Sequence, residues 1–160
     1  MSNYQVANDG EKYYFKLSGK LRYTESGGFD SLISHLIEKN KCSDAIIDLS
    51  STNYLDSTNL GIIAQLAGHV LETYERKISL IISNPDINAI FENCGFNEIC
   101  NIINSNDEKF TESLEFEKMN SDERDRTSMM LEAHQKLVSM NEKNKDKFQD
   151  VVDLMQESLD

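Results

Sequence analysis

The chain has 160 residues, a length that fits one ordinary domain with an additional segment and that can bury a core without disulfides or metal. Its 28 Asp and Glu residues outnumber its 16 Lys and Arg residues, which gives a formal net charge of -12. Binding to nucleic acid or to an anionic membrane needs clustered cations, so this charge argues against both classes and leaves protein partners open.

The first residues and the cysteines indicate where the protein works. The N-terminal MSNYQVANDGE lacks the basic segment and apolar run of a signal peptide, and no apolar run approaches the roughly 18 residues of a membrane span. Cys42, Cys94 and Cys100 form no CxxC pair, and their odd number gives no closed disulfide framework. We therefore expect a soluble, cytoplasmic protein with reduced, buried and unreactive thiols.

The first predicted element is a β-hairpin. The segments YQVA at 4–7 and KYYFKLSG at 12–19 have the residue types and alternation of strands, and Asp9-Gly10 between them is a strong turn signal.

Helix-like and strand-like segments then alternate as far as about residue 104. Apolar spacing predicts helices over residues 29–39, 60–76 and 86–93, and short apolar runs predict buried strands over residues 45–50, 78–83 and 98–103. Strands separated by helices predict an α/β fold with a mostly parallel sheet and helices packed against it.

The composition changes at about Asn104, which predicts one domain over 1–104 and an acidic, all-helical extension over 105–160. The extension has no glycine or proline, and it has 15 acidic and 8 basic residues. Its apolar stripe consists of Met130, Leu131, Leu137, Val138, Phe148, Val151, Val152, Met155 and Leu159. Asn141 and Asn144 interrupt the stripe, so the pattern allows one bent helix or a helical hairpin.

The stripe has two interpretations. Met129, Met130, Met140 and Met155 could form an adaptable groove for a partner. The interpretation that we favour is that the stripe packs on the domain itself or on a second copy, where it would cover an exposed sheet face or mediate a homodimer.

A polar cluster stands between two apolar runs in YLDSTNLGII, residues 54–63. It follows a predicted strand and precedes a predicted helix, at the carboxyl edge of the sheet, where parallel α/β folds place functional groups. Asp56, Ser57, Thr58 and Asn59 are all good N-cap residues, so this cluster alone predicts a helix cap.

The wider stretch IIDLSSTNYLDSTNLGIIAQL resembles the signature of STAS domains, in particular the anti-sigma factor antagonists of bacterial partner-switching systems. The family pattern is an apolar strand ending in Asp-Leu or Asp-Met, then Asp-Ser-Ser/Thr-Gly-Leu-Gly and an apolar helix. Asp48-Leu49 and residues 55–61 match it here, and the likeness continues through ISLIISNPDINAIFENCGF, covering about residues 4–104.

The resemblance implies a STAS-type mixed sheet and a regulatory switch. Ser57 would be the phosphoacceptor of a serine kinase that can double as the anti-sigma factor, and a PP2C-type phosphatase would reverse the modification. The unphosphorylated protein would bind its partner and the phosphorylated protein would release it. The implied partner-binding residues are Lys20, Arg22, Asp56, Thr58, Asn59, Leu60 and Gly61.

Two positions depart from the family pattern. Asn59 replaces the usual glycine, which adds bulk beside Ser57. Gly19-Lys20-Leu21-Arg22 replaces Gly-Glu-Leu-Asp, which makes a commonly acidic loop basic.

Other functions are open but have less support in the sequence. A STAS module could be a fixed, non-switching subunit of a transporter or a stress-signalling assembly. Binding of a small ligand or nucleotide at the sheet edge lacks a phosphate-binding glycine loop. His35, His69 and His134 have no metal-like spacing, and no histidine is near Ser57 in sequence to activate it. We expect no enzymatic activity, cofactor or metal.

Overall fold

The structure is a computed structural model, and it describes residues 2–104, 114–119 and 126–159. It opens with the predicted hairpin, in which β1 (Asn3–Asp9) pairs antiparallel with β2 (Lys12–Leu21). Gly10 in the turn has a φ of 62°, a conformation that glycine adopts without steric cost.

Helices and strands alternate after the hairpin. The elements are α1 (Gly27–Glu38), β3 (Asp44–Leu55), α2 (Ser57–Tyr74), β4 (Ile78–Ile81), α3 (Pro85–Asn93), β5 (Cys100–Ile103), β6 (Glu117–Lys118), α4 (Arg126–Met140) and α5 (Glu142–Leu159). The strands form one sheet in the order β5-β4-β3-β2-β1-β6. The four strands from β5 to β2 are parallel, and β1 is antiparallel to both of its neighbours. The predicted α/β class with a mixed, mostly parallel sheet is confirmed.

The hydrophobic core lies between the sheet and the helices packed against it. Ile47 and Leu49 of β3 and Leu80 of β4 are fully buried, as are Ile33 of α1 and Phe91 of α3. These strands are buried runs of β-branched and aliphatic residues, as expected for the centre of a parallel sheet.

Strand β3 is longer than the sequence predicts. It continues past residue 50 to Leu55, because residues 51–55 pair with the end of β2 through two register shifts. Thr52 and Leu55 are buried on this stretch while Asn53 and Tyr54 are exposed. The longer strand carries residue 56 to the carboxyl edge of the sheet.

Strand β5 is shorter than predicted. A 3-10 turn over Phe96–Glu98 takes the place of its first residues. Phe96 is fully buried there and its ring packs edge-on against Phe91.

The extension contains a helical hairpin, which decides between the two forms that the sequence allows. Helices α4 and α5 pack against each other and meet at Asn141, whose side-chain oxygen accepts a hydrogen bond from the amide of Asn144 at 2.7 Å. Residues 114–119 of the extension are not helical, and within them β6 adds two residues to the sheet edge.

Helix α4 packs on helix α2 and not on an exposed face of the sheet. Met129, Ala133 and Leu137 of α4 are buried and join the domain core. Within the described part of the chain, no helix combines the length and apolar character needed to cross a membrane.

Candidate functional site

Asp56 fixes the end of β3 and the start of α2. Its Oδ1 accepts hydrogen bonds from the amide of Asn59 at 3.0 Å and from Asn59 Nδ2 at 2.9 Å, and its Oδ2 accepts from the amide of Tyr23 at 2.6 Å. The predicted helix cap is therefore confirmed, and Asp56 provides it by pairing an otherwise unsatisfied helix amide. The bond to Tyr23 ties this end of the helix to the loop after β2.

Asn59 points into the domain. It is fully buried, and its Oδ1 accepts a hydrogen bond from the hydroxyl of Tyr4 at 2.7 Å. Burial raises the pKa of Tyr4, and the negative charges of Asp56 and Glu25 raise it further, so this hydroxyl remains a protonated donor. The expectation that Asn59 adds bulk beside Ser57 is wrong, because Tyr4 and Asp56 hold its side chain inside the domain.

Ser57 is the first residue of α2, and its hydroxyl contacts a histidine from the extension. Ser57 Oγ lies 2.6 Å from His134 Nε2, and His134 Nδ1 lies 2.6 Å from the carbonyl oxygen of Met130. A carbonyl oxygen only accepts, so Nδ1 carries the proton, and in the neutral ring Nε2 accepts the hydrogen bond that Ser57 donates. His134 is only 3% exposed and its ring packs edge-on against Phe148.

No histidine is near Ser57 along the chain, but the fold brings His134 to its hydroxyl. The two residues are 77 positions apart, so spacing along the chain could not reveal the pair. Chemically, a histidine that accepts from a serine hydroxyl can act as a general base and make that hydroxyl more nucleophilic.

Two glycines of α2 lie on the face of the helix that α4 covers. A Cβ added to Gly61 would lie 2.5 Å from the carbonyl carbon of Ala133, a distance that real Cβ atoms do not reach. One added to Gly68 would lie 2.5 Å from Lys136 Nζ. Two glycines seven residues apart on one helical face are the signal in the sequence that could have indicated a helix packed here.

The predicted partner-binding residues fall into two groups. Thr58, Asn59, Leu60 and Gly61 are buried in this structure, the last beneath α4, whereas Asp56 is half-buried. Lys20 is exposed near the end of β2 and Arg22 is exposed directly after it, and the Arg22 guanidinium lies 5.8 Å from the centre of the Tyr54 ring.

A groove opens beside Ser57 between the domain and the extension. Its walls are formed by Tyr23, Tyr54, Asp56, Ser57, Thr58, Met130, His134, Lys147, Phe148, Val151 and Met155. Two of the four methionines predicted to form an adaptable surface lie here. Met129 is instead buried against Ser26, and Met140 lines a separate cavity next to Gly68 and Gly95.

The remaining candidate groups lie outside this site. The described residues contain no cluster of three or more His, Cys, Asp or Glu side chains that could hold a metal ion. All three cysteines are free and buried, and burial raises the pKa of each thiol, to about 11 for Cys42 and about 12 for Cys100. Raised pKa values are typical of unreactive thiols, as predicted.

Known structures share this fold. The Bacillus cell fate determinant SpoIIAA in its phosphorylated form is 17% identical, with a TM-score of 0.56 over 67% of this chain and 95% of that chain. The anti-sigma factor antagonist SpoIIAA in its unphosphorylated form is also 17% identical, with a TM-score of 0.57 over 67% and 91%. An anti-sigma factor antagonist from Mycobacterium paratuberculosis is 16% identical, with a TM-score of 0.56 over 69% and 92%. At these identities the likeness establishes the fold.

A search of curated proteins found no match. The family model for the STAS domain matches residues 3–109, which include every strand from β1 to β5 and end before α4. The chain therefore belongs to the STAS-domain family.

Proposed function

We propose that this protein is a phosphorylation-controlled protein-binding switch of the anti-sigma factor antagonist type, with Ser57 as the phosphoacceptor. Unphosphorylated protein binds an anti-sigma factor that is also the serine kinase, and phosphorylated protein releases it. The observation that supports this most strongly is the position of the Ser57 hydroxyl, at the first residue of α2, next to the capping Asp56 and at the carboxyl edge of a STAS sheet.

The local electrostatics suit a reversible phosphate. A phosphate adds about -1.5 to -2 charge at pH 7, and the free amides and dipole of a helix N-terminus favour negative charge. The fold need not break when Ser57 is modified.

Release then follows from charge and size. A partner surface matched to a neutral serine beside the Asp56 carboxylate meets a bulky dianion after phosphorylation, and like charges and lost packing disfavour the complex. A PP2C-type phosphatase would restore binding in the cytoplasm. The protein itself performs no catalysis in this proposal.

The end of β2 and the loop that follows it would influence which partner binds. Lys20 and Arg22 are exposed near the Ser57 end of α2, where they present positive charge on a chain with a net charge of -12. We expect a partner with acidic side chains opposite this loop, since complementary charge steers association.

A homodimer through the extension would use exposed apolar residues of α5. Leu154 is 67% exposed and Leu159 is 41% exposed on that helix. The proposed switch does not depend on this dimer.

Site-mapped phosphorylation tests the function. The protein is purified from its native host, and intact mass and peptide mapping are compared for the unaltered chain, Ser57→Ala and Thr58→Ala. We expect one phosphate on Ser57, lost only in Ser57→Ala, because Thr58 is 2% exposed and points away from solvent. Ser57→Ala should then retain a partner in a pull-down that Ser57→Asp loses. An absence of phosphate under all growth conditions, or phosphate only on Thr58, would refute the proposal.

A further inference from the structure

We infer that helices α4 and α5 occupy, within the same chain, the surface through which a partner and a kinase reach Ser57, so that either can bind only after α4 leaves α2. This inference rests on the proposed function for the role of Ser57, and it adds a competitor that is part of the molecule itself.

The first support is the contact on the hydroxyl itself. His134 Nε2 takes the hydrogen bond of Ser57 Oγ at 2.6 Å, and the His134 ring is buried against Phe148 of α5. A phosphoryl group bonded to that oxygen requires the space that the imidazole fills. Phosphorylation of Ser57 and the observed position of α4 therefore exclude each other.

The second support is the way α4 covers the helix that carries Ser57. Gly61 and Gly68 lie one and three turns after Ser57 on the covered face of α2, and side chains or backbone of α4 lie directly over both. Without α4, this face of α2 would expose Ser57, the two glycines and a shallow surface on which another helix could pack. Helix α4 thus occupies the place of a helical partner.

The third support is the chemistry of the interface, which is more polar than a domain core. His134 and Asn144 are both buried, and Asn144 Oδ1 has no hydrogen-bond partner among the described residues. An unpaired buried polar atom destabilises the state that buries it. Departure of the hairpin returns this atom to water, which lowers the free energy of opening.

Polar contacts at both ends of the hairpin add to the buried contacts of α4 with α2. Arg126 donates to the carbonyl oxygen of Thr24 at 3.3 Å, and at the other end Asn144 and Lys147 donate to the carbonyl oxygens of Cys94 and Asn93 at 2.9 and 3.3 Å. The Arg126 and Lys147 contacts are exposed, so they stabilise the closed form only weakly. Polar attachments of this kind are typical of interfaces that open.

Opening would set the sensitivity of the switch. If only a fraction of molecules has α4 away from α2, the apparent affinity for a partner falls by that fraction. A ligand or partner that holds the extension elsewhere would then increase both binding and phosphorylation.

Accessibility of residue 57 can be measured without any partner. In the full chain, Ser57→Cys places a thiol where the hydroxyl lies, and its rate of reaction with a maleimide is followed by peptide mass. The rate is measured for the Ser57→Cys single variant and for a double variant that also carries Ala133→Asp. The aspartate places a charge between α4 and α2. The matched control is Gln135→Asp, on the exposed side of α4.

We expect slow labelling of Ser57→Cys, no change with Gln135→Asp, and at least a tenfold increase with Ala133→Asp. Gly61→Ala provides the same test from the other helix, because its added methyl group cannot fit under Ala133 and alanine favours the helix. Far-UV circular dichroism shows whether the Ala133→Asp variant and the Gly61→Ala variant each keep their fold. Fast labelling of Ser57→Cys alone, or equally slow labelling in all variants, would overturn the inference.

A second readout separates this inference from the proposed function. The Ser57 chains with and without Ala133→Asp are incubated with ATP and a lysate of the native host, and phosphate on Ser57 is quantified. More phosphate in Ala133→Asp supports both ideas, and equal phosphate overturns the inference alone. If no variant is phosphorylated, the proposed function fails, and the maleimide rates still decide whether α4 covers residue 57.

Discussion

The sheet domain and the helical hairpin of α4 and α5 bury different numbers of side chains. The sheet domain fills its interior with large aliphatic and aromatic residues such as Phe15, Ile47 and Leu80. The hairpin buries fewer side chains, and two of them, His134 and Asn144, are polar. The difference indicates a stable domain with an attached helical unit that can leave at lower cost, because less apolar area is exposed when it does.

The largest expected effect is in the sheet domain. Ile47→Ala removes a fully buried side chain from the central strand β3, and such truncations cost about 2–5 kcal/mol through lost burial and a residual cavity. The urea midpoint followed by far-UV circular dichroism should fall accordingly. Leu154→Ala is the control on the hairpin, where 67% exposure predicts almost no change. Equal losses of stability in Ile47→Ala and Leu154→Ala would contradict the proposed difference between the sheet domain and the hairpin.

A smaller effect is expected where Asn59 is anchored. Tyr4→Phe leaves Asn59 Oδ1 buried without the hydrogen bond that it accepts at 2.7 Å, which costs about 1–3 kcal/mol. The free energy of unfolding should fall by that amount, whereas Tyr54→Phe, at a 46% exposed tyrosine, should be neutral. An unchanged Tyr4→Phe protein would mean that the start of α2 is held without this bond.

The helix cap at Asp56 should contribute about 1–2 kcal/mol to the free energy of unfolding. Asp56→Ala removes the acceptor for the Asn59 amide and for the Tyr23 amide, and losing an N-cap costs about this much. Urea unfolding measures the loss, and Asn53→Ala, an exposed position near the end of the same strand, is the control. If both variants lose the same stability, Asp56 has no special role in capping.

The smallest effect concerns pH. The Cys42 and Cys100 thiols have their pKa raised by burial from 9.0 to about 11 and about 12. The unfolded chain ionises first, so the stability that these thiols contribute is present below pH 9.0 and is lost as pH rises toward those values. Urea midpoints should therefore fall as the pH rises from about 9 to about 11, and less steeply when both cysteines are alanine. Equal slopes would show that other groups, such as Tyr4, account for the change.

Much of the sheet domain could be predicted from sequence because its signals are local. Asp9-Gly10 marked the hairpin, apolar runs marked β3 and β4, and the polar cluster at 56–59 indicated a helix cap, although α2 begins at Ser57 and not at residue 60. The extra length of β3 could not be predicted, because its polar residues are held in the strand by pairing with β2.

The candidate site was only half predictable. The motif indicated Ser57 and Asp56, but the contact with His134 depends on how two distant helices pack. Periodicity shows that a helix has an apolar face and does not show what covers it. Gly61 and Gly68 hinted at a close neighbour without identifying α4 as that neighbour.

The measurement that tests the account most directly is native-state hydrogen exchange of the unaltered protein, read separately for α4, α5, β3 and β4. The account predicts that amides of α4 and α5 exchange through an opening of lower free energy than the one that exposes β3 and β4. The first turn of α2 should retain its protection from the Asp56 cap during that opening. If all four elements exchange with the same free energy, the hairpin leaves only when the whole protein unfolds, and it does not control access to Ser57.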